Sequence, residues 1–329
     1  MSNMDQWCSF WQNTDYVPSS QNMDFGISRP WPDWFEGEAK RKCIQWIKDH
    51  CQKQTIIGGW KYVEPEQGKY KWDYIDRCIE IADECGLKKY YHCLFWDHPG
   101  WFKPTWLNAD VDRDHYISMW RKWVDVLAER YNDQIDEWEI VNESIIKQDW
   151  DPRKRIIVED GFYKAFQHAN GVLKGRQGIN LAVEIFQHLD WYGQDAQEYR
   201  IISDLLDRGI RLDFIGIQHH AWYDLWERES YHPERIHKSL SLLSGFRLPV
   251  YITEFSVYAP PHEKDKQAML LNKILGFWRS FPQVESLVYW LTKDSFSYFG
   301  DQASALTDHE FNPYPIFHEL SNILERSTR

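Results

Sequence analysis

Eight short segments rich in β-branched and aromatic residues alternate with amphipathic helical segments from one end of the chain to the other. Strands are predicted over residues 23–28, 55–59, 89–96, 136–143, 180–186, 212–220, 249–255 and 286–292. Helices are predicted over residues 37–52, 72–85, 112–130, 159–172, 194–208, 233–243, 262–279 and 313–325. This alternation is typical of an α/β protein with a parallel sheet, and no Pro/Gly/Ser-rich linker divides it.

Eight strand-helix units in 329 residues predict a single (β/α)8 TIM barrel, and this single domain is expected to span residues 1–329 with residues 1–20 as an N-terminal extension. The alternative is an open doubly wound sheet, which normally carries a glycine-rich phosphate loop. The Gly58-Gly59 pair that follows the second strand is succeeded by Trp60 and Lys61, so it forms no such loop.

Composition excludes some classes of partner. The net charge is −12 and no Lys/Arg block is present, so we expect neither nucleic acid nor an anionic membrane as partner. Aromatic residues make up 16% of the chain, with 19 Trp and 18 Tyr, which suits stacking on sugar rings, although an aromatic-rich core would also use some of them.

The N-terminal residues lack the basic start and apolar centre of a signal peptide, and no segment is long and apolar enough to cross a membrane. A cytoplasmic protein is therefore expected, or a secreted one if a leader precedes this sequence. The sequence does not indicate an oligomeric state.

All six cysteines fall in the first third of the chain: Cys8, Cys43, Cys51, Cys78, Cys85 and Cys93. None has the CxxC spacing of a zinc or redox site, and Cys78 and Cys85 are about two helical turns apart, which is too far for a disulfide. Buried free thiols are predicted, with no metal and no cofactor.

In a barrel of this kind the carboxyl ends of the strands share one pocket, so the residue types there can be considered together. They are His92, Trp96, Asn142, Glu143, Glu184, Gln218, His219, His220, Glu254 and Trp290. Glu143 and Glu254 each follow an apolar run, where an ionised carboxylate is costly unless it is paired or used.

Two facing carboxyl groups surrounded by aromatic and amide side chains suit glycosidic bond cleavage, with retention of configuration at a separation of about 5–5.5 Å and inversion at about 6.5–9.5 Å. Taken singly, each residue is better explained as an ion-pair partner, a core aromatic or a packed histidine. A metal site built from His92, His219 and His220 with the glutamates is the other possibility, but no HExxH-like spacing supports it.

The segment WEIVNES resembles the WDVVNE signature of glycoside hydrolase family 10, the endo-β-1,4-xylanase family, and ERYNDQIDEWEIVNE resembles its wider context. Further similarities occur in family order between about residues 55 and 318. They are EPEQGKY with EPxxGxF, HCLFW with HTLVW, IGIQHH with GIGxQxH, VYITEF with ITEL, VYWLTKDSFSY with WGLTDxxSW, and ALTDHEFNPYPIF with LFDxxxxPKPAY.

The resemblance implies a retaining endo-1,4-β-xylanase-like glycoside hydrolase that acts on β-1,4-linked xylan or xylo-oligosaccharides by double displacement. Glu143 matches the acid/base of the family, Glu254 its nucleophile, and Asn142 the residue that holds the sugar 2-hydroxyl. The residues that match the lining of the substrate pocket are His92, Trp96, Gln218, His220 and Trp290.

Departures from the family concern substrate contacts. Its second strand has an Asn-Glu-x-Lys set where this chain has residues 56–59, Ile-Ile-Gly-Gly. Asp97 and Phe296 replace a His and a Trp, and Glu184 stands where the family tends to have Asn, as a sugar contact or an ion-pair partner. An exo-acting or differently specific β-glycosidase on short or decorated oligosaccharides, and a catalytically silent glycan-binding barrel, therefore remain as alternatives. Trp31 or Trp34 could fill the space at the second strand.

Overall fold

In the computed structural model, eight parallel strands close into a barrel in chain order, β1 to β8. The strands are β1 Asp24–Ser28, β2 Lys53–Ile57, β3 Lys88–His92, β4 Glu137–Asn142, β5 Arg176–Leu181, β6 Phe214–Trp222, β7 Val250–Tyr258 and β8 Val284–Tyr289. The structure describes residues 23–28, 31–96, 102–107, 113–143, 161–182, 185–222, 233–290, 304–308 and 310–327. The predicted (β/α)8 barrel is therefore confirmed.

Helices lie between the strands and surround the barrel. The longer ones are Gly37–His50, Asp73–Cys85, Arg113–Tyr131, Gly161–Val172, Ile185–Tyr192, Gln197–Asp207, Pro233–Leu243, Lys264–Arg279 and Pro315–Ser327, and the short ones are Trp31–Trp34, Trp60–Val63, Gly193–Asp195, Ser244–Phe246 and Pro261–Glu263. The helix Asp73–Cys85 packs against β2 and β3 and buries an apolar stripe that includes Ile75, Ile79 and Ala82. Within the described residues, no helix combines the length and apolarity that crossing a membrane requires.

The fifth strand is where the sequence-based assignment was wrong. The prediction placed it at residues 180–186, whereas β5 is Arg176–Leu181 and the helix Ile185–Tyr192 begins soon afterwards. The sequence RQGINL has a weak strand signal because glycine and glutamine are poor strand formers. A Cβ added at Gly178 would lie only 2.2 Å from the Phe214 ring, so tertiary packing in the barrel requires this glycine.

The amino-terminal end of the barrel interior holds a buried ion pair. The ε-ammonium of Lys53 lies 2.6 Å from a carboxylate oxygen of Glu137, and the two side chains are 1% and 4% exposed. The same ammonium lies 4.0 Å from the centroid of the Tyr251 ring, whose hydroxyl donates to Glu137 at 2.9 Å. Burial lowers the pKa of Lys53, although attraction to Glu137 opposes this shift.

Five of the six cysteines are buried free thiols, as predicted: Cys43, Cys51, Cys78, Cys85 and Cys93. Burial raises the pKa of Cys78 to about 12 and that of Cys85 to about 11. Cys8 lies outside the described residues, as do residues 1–20, the predicted N-terminal extension.

Candidate active site

Asn142 and Glu143 are consecutive residues at the carboxyl end of β4. Both side chains reach the same pocket because the register of the strand is interrupted before them. The pairing of β4 with β5 shifts between Glu139 and Val141, so the regular alternation of the strand is interrupted. Glu143 then adopts a left-handed backbone conformation with φ of +47°, and its amide donates to the Asn180 carbonyl at 3.0 Å. A left-handed conformation is uncommon for a glutamate, and the backbone hydrogen bond helps to hold it.

Gln218, on β6, connects the two glutamates. Its Nε2 donates to Oε1 of Glu143 at 2.5 Å and to Oε1 of Glu254 at 2.9 Å. Because both oxygens are bonded to the same nitrogen at these distances, they lie no more than about 5.4 Å apart, which fits the separation of about 5–5.5 Å in retaining glycosidases better than that of about 6.5–9.5 Å in inverting ones.

The Glu254 carboxylate is only 5% exposed and is surrounded by nitrogen donors from several strands. Nε2 of His220 lies 3.4 Å from Oε2, while Nε2 of His92 lies 3.9 Å from Oε1. Nδ2 of Asn180 donates to Oε1 at 3.3 Å. These contacts fix the orientation of the Glu254 carboxylate, as a nucleophile requires.

Asn142 is oriented by a chain of hydrogen bonds across three strands. Nδ2 of Asn180 donates to Oδ1 of Asn142 at 2.9 Å, and the Thr253 hydroxyl donates to Oδ1 of Asn180 at 2.6 Å. Asn142 is 1% exposed, so its amide is held at the floor of the pocket.

Two half-buried tryptophans stand beside these polar groups. Nε1 of Trp96 donates to Oε2 of Glu143 at 3.2 Å, and Trp96 forms an isolated parallel bridge with Asn142. Trp290 follows β8 and is anchored through its backbone, since its amide donates to the Phe255 carbonyl at 2.7 Å and its carbonyl accepts from the Ser28 hydroxyl. The Trp290 ring lies 5.0 Å from the His92 ring, edge to face.

His92 contacts a buried carboxylate through the ring nitrogen that faces away from Glu254. Its Nδ1 lies 2.9 Å from Oε2 of Glu139, which also accepts from the Tyr90 hydroxyl. Burial by itself lowers the pKa of His92, but attraction to Glu139, a hydrogen bond to it and the charges of the other two glutamates outweigh burial and raise the pKa to about 9. Burial raises the pKa of Glu139 as well, and attraction to His92 opposes that shift. The 2.9 Å contact and the raised pKa of His92 favour an imidazolium paired with the Glu139 carboxylate.

The structure brings eight of the predicted residues into one pocket: His92, Trp96, Asn142, Glu143, Gln218, His220, Glu254 and Trp290. His219 does not join them, because its ring is fully buried on the other face of β6, where Nε1 of Trp278 donates to its Nδ1 at 3.1 Å. Burial lowers the pKa of His219 to about 3, so it is a neutral packed side chain. Asp97, Glu184 and Phe296 lie outside the described residues.

Sequence analysis missed three polar residues of the site: Glu139, Asn180 and Thr253. A signal existed for Glu139, since it is a charged residue between Trp138 and Ile140 within the predicted strand. Asn180 was hidden because the fifth strand had been placed four residues too late, which made it the first residue of the strand instead of one near its pocket end.

The carboxyl end of β2 contributes no polar side chain to the pocket. The Tyr91 hydroxyl donates to the Gly58 carbonyl at 2.5 Å, and a Cβ on Gly58 would lie 2.2 Å from that hydroxyl. The Gly58 amide donates to the His92 carbonyl at 3.0 Å, so both backbone groups of this residue are used inside the protein. The side chains of Trp31 and Trp34, the predicted fillers of this region, lie outside what the structure describes.

Among the described residues, one group of side chains has donor atoms close enough to share a metal ion: His92, Cys93 and Glu139. The imidazole and the carboxylate of this group are already hydrogen-bonded to each other. Burial and the nearby carboxylates raise the pKa of the Cys93 thiol, which disfavours the thiolate that binds metals. This group is therefore better explained as a histidine-carboxylate pair beside a packed thiol.

Comparison with known proteins gives a consistent family assignment. The model of glycosyl hydrolase family 10 matches residues 32–323. Endo-1,4-beta-xylanase A of Caldicellulosiruptor saccharolyticus is 23% identical over 264 residues, which cover 70% of this chain and 72% of that protein. The thermostable celloxylanase of Thermoclostridium stercorarium is 24% identical over 298 residues, covering 78% of this chain and 74% of that protein.

Solved structures show the same fold. Xylanase 10B from Thermotoga petrophila, solved in complex with xylobiose, superposes with a TM-score of 0.78 at 19% identity and covers 94% of this chain and 95% of its own. Native xylanase 10B from Thermotoga maritima gives a TM-score of 0.77 at 19% identity, with 94% and 97% coverage.

Proposed function

Because the chain belongs to glycosyl hydrolase family 10, we propose that it is a retaining β-glycosidase that hydrolyses β-1,4-linked xylan or xylo-oligosaccharides. The observation that carries the retaining mechanism is the bridge through Gln218, which keeps the carboxylate oxygens of Glu143 and Glu254 within about 5.4 Å of each other. The xylan-type substrate is supported by the relatives, whose names include endo-1,4-beta-xylanase and celloxylanase.

In the proposed first step, Glu254 attacks the anomeric carbon and Glu143 protonates the leaving glycosidic oxygen, which yields a glycosyl ester on Glu254 and a free alcohol. Glu254 suits the nucleophile because it is nearly buried and is surrounded by nitrogen donors. Glu143 suits the acid because it is more exposed than Glu254, so that a leaving group beside it can depart.

In the second step, Glu143 as a carboxylate removes a proton from water, the water attacks the anomeric carbon, and Glu254 is released. Asn142 lies beside both glutamates with its carbonyl oxygen fixed by Asn180, so its amide can donate to a hydroxyl of the bound sugar. Trp96 and Trp290 supply apolar surface on which a sugar ring can pack. We also propose that the chain forms one catalytic domain.

Trapping of the covalent intermediate tests the mechanism directly. Incubation with a 2-fluoro-β-xylobioside that has an activated leaving group should add one fluoroglycosyl unit to the intact mass, and proteolysis should place it on the peptide containing Glu254. Glu254→Gln should take up no label. Glu285→Gln is the matched control, because Glu285 is a half-exposed carboxylate on the adjacent strand and its loss should leave labelling unchanged.

Two results would contradict the proposal. Absence of an adduct with both xylosyl and glucosyl reagents, together with binding of oligosaccharides but no turnover, would identify a glycan-binding barrel. The anomeric configuration of the products can be followed by NMR during the first turnovers. An inverted configuration would contradict the retaining mechanism.

A further inference from the structure

Two imidazoles flank the proposed nucleophile, one near each carboxylate oxygen. Nε2 of His92 lies 3.9 Å from Oε1 of Glu254, and Nε2 of His220 lies 3.4 Å from Oε2. The groups behind the two rings differ. Nδ1 of His92 faces the Glu139 carboxylate at 2.9 Å, whereas Nδ1 of His220 faces the Ser256 hydroxyl at 3.2 Å.

The two partners differ in the charge that they bring to the ring. A carboxylate accepts hydrogen bonds and brings a negative charge, so it favours a proton on the nitrogen that faces it. A hydroxyl can donate as well as accept, and it brings no charge. The Ser256 hydroxyl therefore brings no charge to His220, whereas the Glu139 carboxylate brings a negative charge to His92.

The other groups around His92 are consistent with a single positive charge there. Glu143 and Glu254 contribute negative charge, and the Cys93 thiol stays protonated because burial raises its pKa. Burial also raises the pKa of the Tyr90 phenol, which remains a neutral donor to Glu139.

Lys53, the nearest described ammonium on β2, belongs to the lower layer of the barrel and pairs with Glu137. His220 lies on the opposite side of Glu254, and Trp290 adds an uncharged ring edge.

We propose that Glu139 is a positioning residue that keeps His92 protonated on both ring nitrogens, so that an imidazolium stays beside residue 254 before and after its carboxylate is esterified. The second half of this statement rests on the proposed function, in which Glu254 is the nucleophile. Glu139 acts through His92 and does not itself reach the reacting atoms.

The reason for a separate carboxylate lies in the chemistry of the two steps. When Glu254 forms its glycosyl ester, its negative charge disappears, and with it one attraction that holds the proton on His92. Glu139 is fully buried, lies on the far side of the ring and is not consumed. It therefore keeps the charge at His92 constant while the charges of Glu254 and Glu143 change between steps.

Nitrogen-15 NMR of histidine-labelled protein measures this proton directly. The His92 signals are assigned by their loss in His92→Gln, and their shifts are followed between pH 5 and pH 10. In the wild-type enzyme both ring nitrogens should show imidazolium shifts at pH 7 and titrate with a midpoint near pH 9. Glu139→Gln, which keeps the shape but removes the charge, should lower the titration midpoint by more than about one pH unit.

Control variants separate this role from a purely structural one. Ser256→Ala should leave the His92 midpoint unchanged. Glu139→Asp, which keeps the charge, should restore a high midpoint in part. A variant that merely loosened the core would alter the signals of His219, which is packed against Trp278, and these should stay unchanged in Glu139→Gln.

The 2-fluoroglycosyl adduct tests the second half. In the wild-type adduct His92 should remain an imidazolium at pH 7, whereas in the Glu139→Gln adduct it should be neutral. A neutral His92 in the free wild-type enzyme at pH 7, or an unchanged midpoint in Glu139→Gln, would overturn the proposal.

If Glu139→Gln does not fold, a neutral His92 in the wild-type enzyme at pH 7 still overturns the proposal, and Glu139→Asp, whose midpoint should lie below that of the wild type, tests the role of Glu139. If no adduct forms, the proposed function fails, while the titration of the free enzyme still shows whether Glu139 holds the proton.

Discussion

Replacement of Lys53 by methionine tests the energetics of the barrel interior. The substitution keeps the length and apolar volume of the side chain but removes the only charge within 3 Å of Glu137 among the described residues. It leaves a carboxylate that is 3% exposed and has the Tyr251 hydroxyl as its remaining close donor.

The expected cost follows from this geometry. Breaking a buried ion pair by removal of one partner typically costs about 3–5 kcal/mol, because the remaining charge is uncompensated. Arg176 lies 3.9 Å from Glu137 and is half exposed, so it compensates part of the charge. We therefore expect Lys53→Met to lower the free energy of unfolding by about 3 kcal/mol, at the lower end of the range.

The double variant Lys53→Met/Glu137→Gln should recover most of this loss, since a neutral amide with a tyrosine donor is cheaper to bury than an unpaired carboxylate. Urea unfolding followed by tryptophan fluorescence measures all three free energies. Lys174→Met, which removes a surface pair with Asp133 at a similar distance, is the matched control and should leave stability unchanged. The reasoning is refuted if Lys53→Met costs less than about 1 kcal/mol, or if the double variant is as unstable as the single one.

Two further predictions concern the pocket and the thiols. Gln218→Leu removes the nitrogen that bonds to both glutamates, so kcat/KM for an aryl xylobioside should fall by about 10²-fold without a change in Tm. The exposed control variant Gln194→Leu should keep the wild-type kcat/KM. Full activity of Gln218→Leu would show that the bridge is dispensable. The five buried cysteines should resist iodoacetamide at pH 8 until urea is added, because burial raises their pKa and leaves little thiolate. In the variant Cys8→Ser, which retains only these five thiols, mass spectrometry of the native protein should show almost no label. Rapid labelling of Cys85 would contradict this prediction.

Sequence alone was sufficient for the barrel because eight apolar runs with helical segments between them leave few alternatives. It also singled out Glu143 and Glu254, which the structure brings together through Gln218, since a carboxylate at the end of an apolar strand is costly unless it has a task. The fifth strand was misplaced because its residues carry a weak strand signal, and contact with Phe214, which a sequence does not show, explains its glycine.

Which face a residue occupies was the harder problem. His219 and His220 are neighbours with similar sequence signals, yet one packs against Trp278 and the other faces Glu254. Glu139 and Asn142 both face the pocket although they are three residues apart, which a strand of regular period two does not allow. Such positions depend on local irregularities that no residue pattern in this chain reveals.

The register shift in β4 between Glu139 and Val141 has a consequence for protein engineering. A perfectly regular strand could aim Glu139 and Val141 inward or Ile140 and Asn142 inward, but not the pair that this enzyme uses. Transplanting the glutamates and their amide partners onto another eight-stranded barrel would therefore fail if only side chains were copied. The extra backbone residue of the β4 bulge would have to be transplanted with them, because this chemistry depends on the irregular strand as much as on the set of side chains.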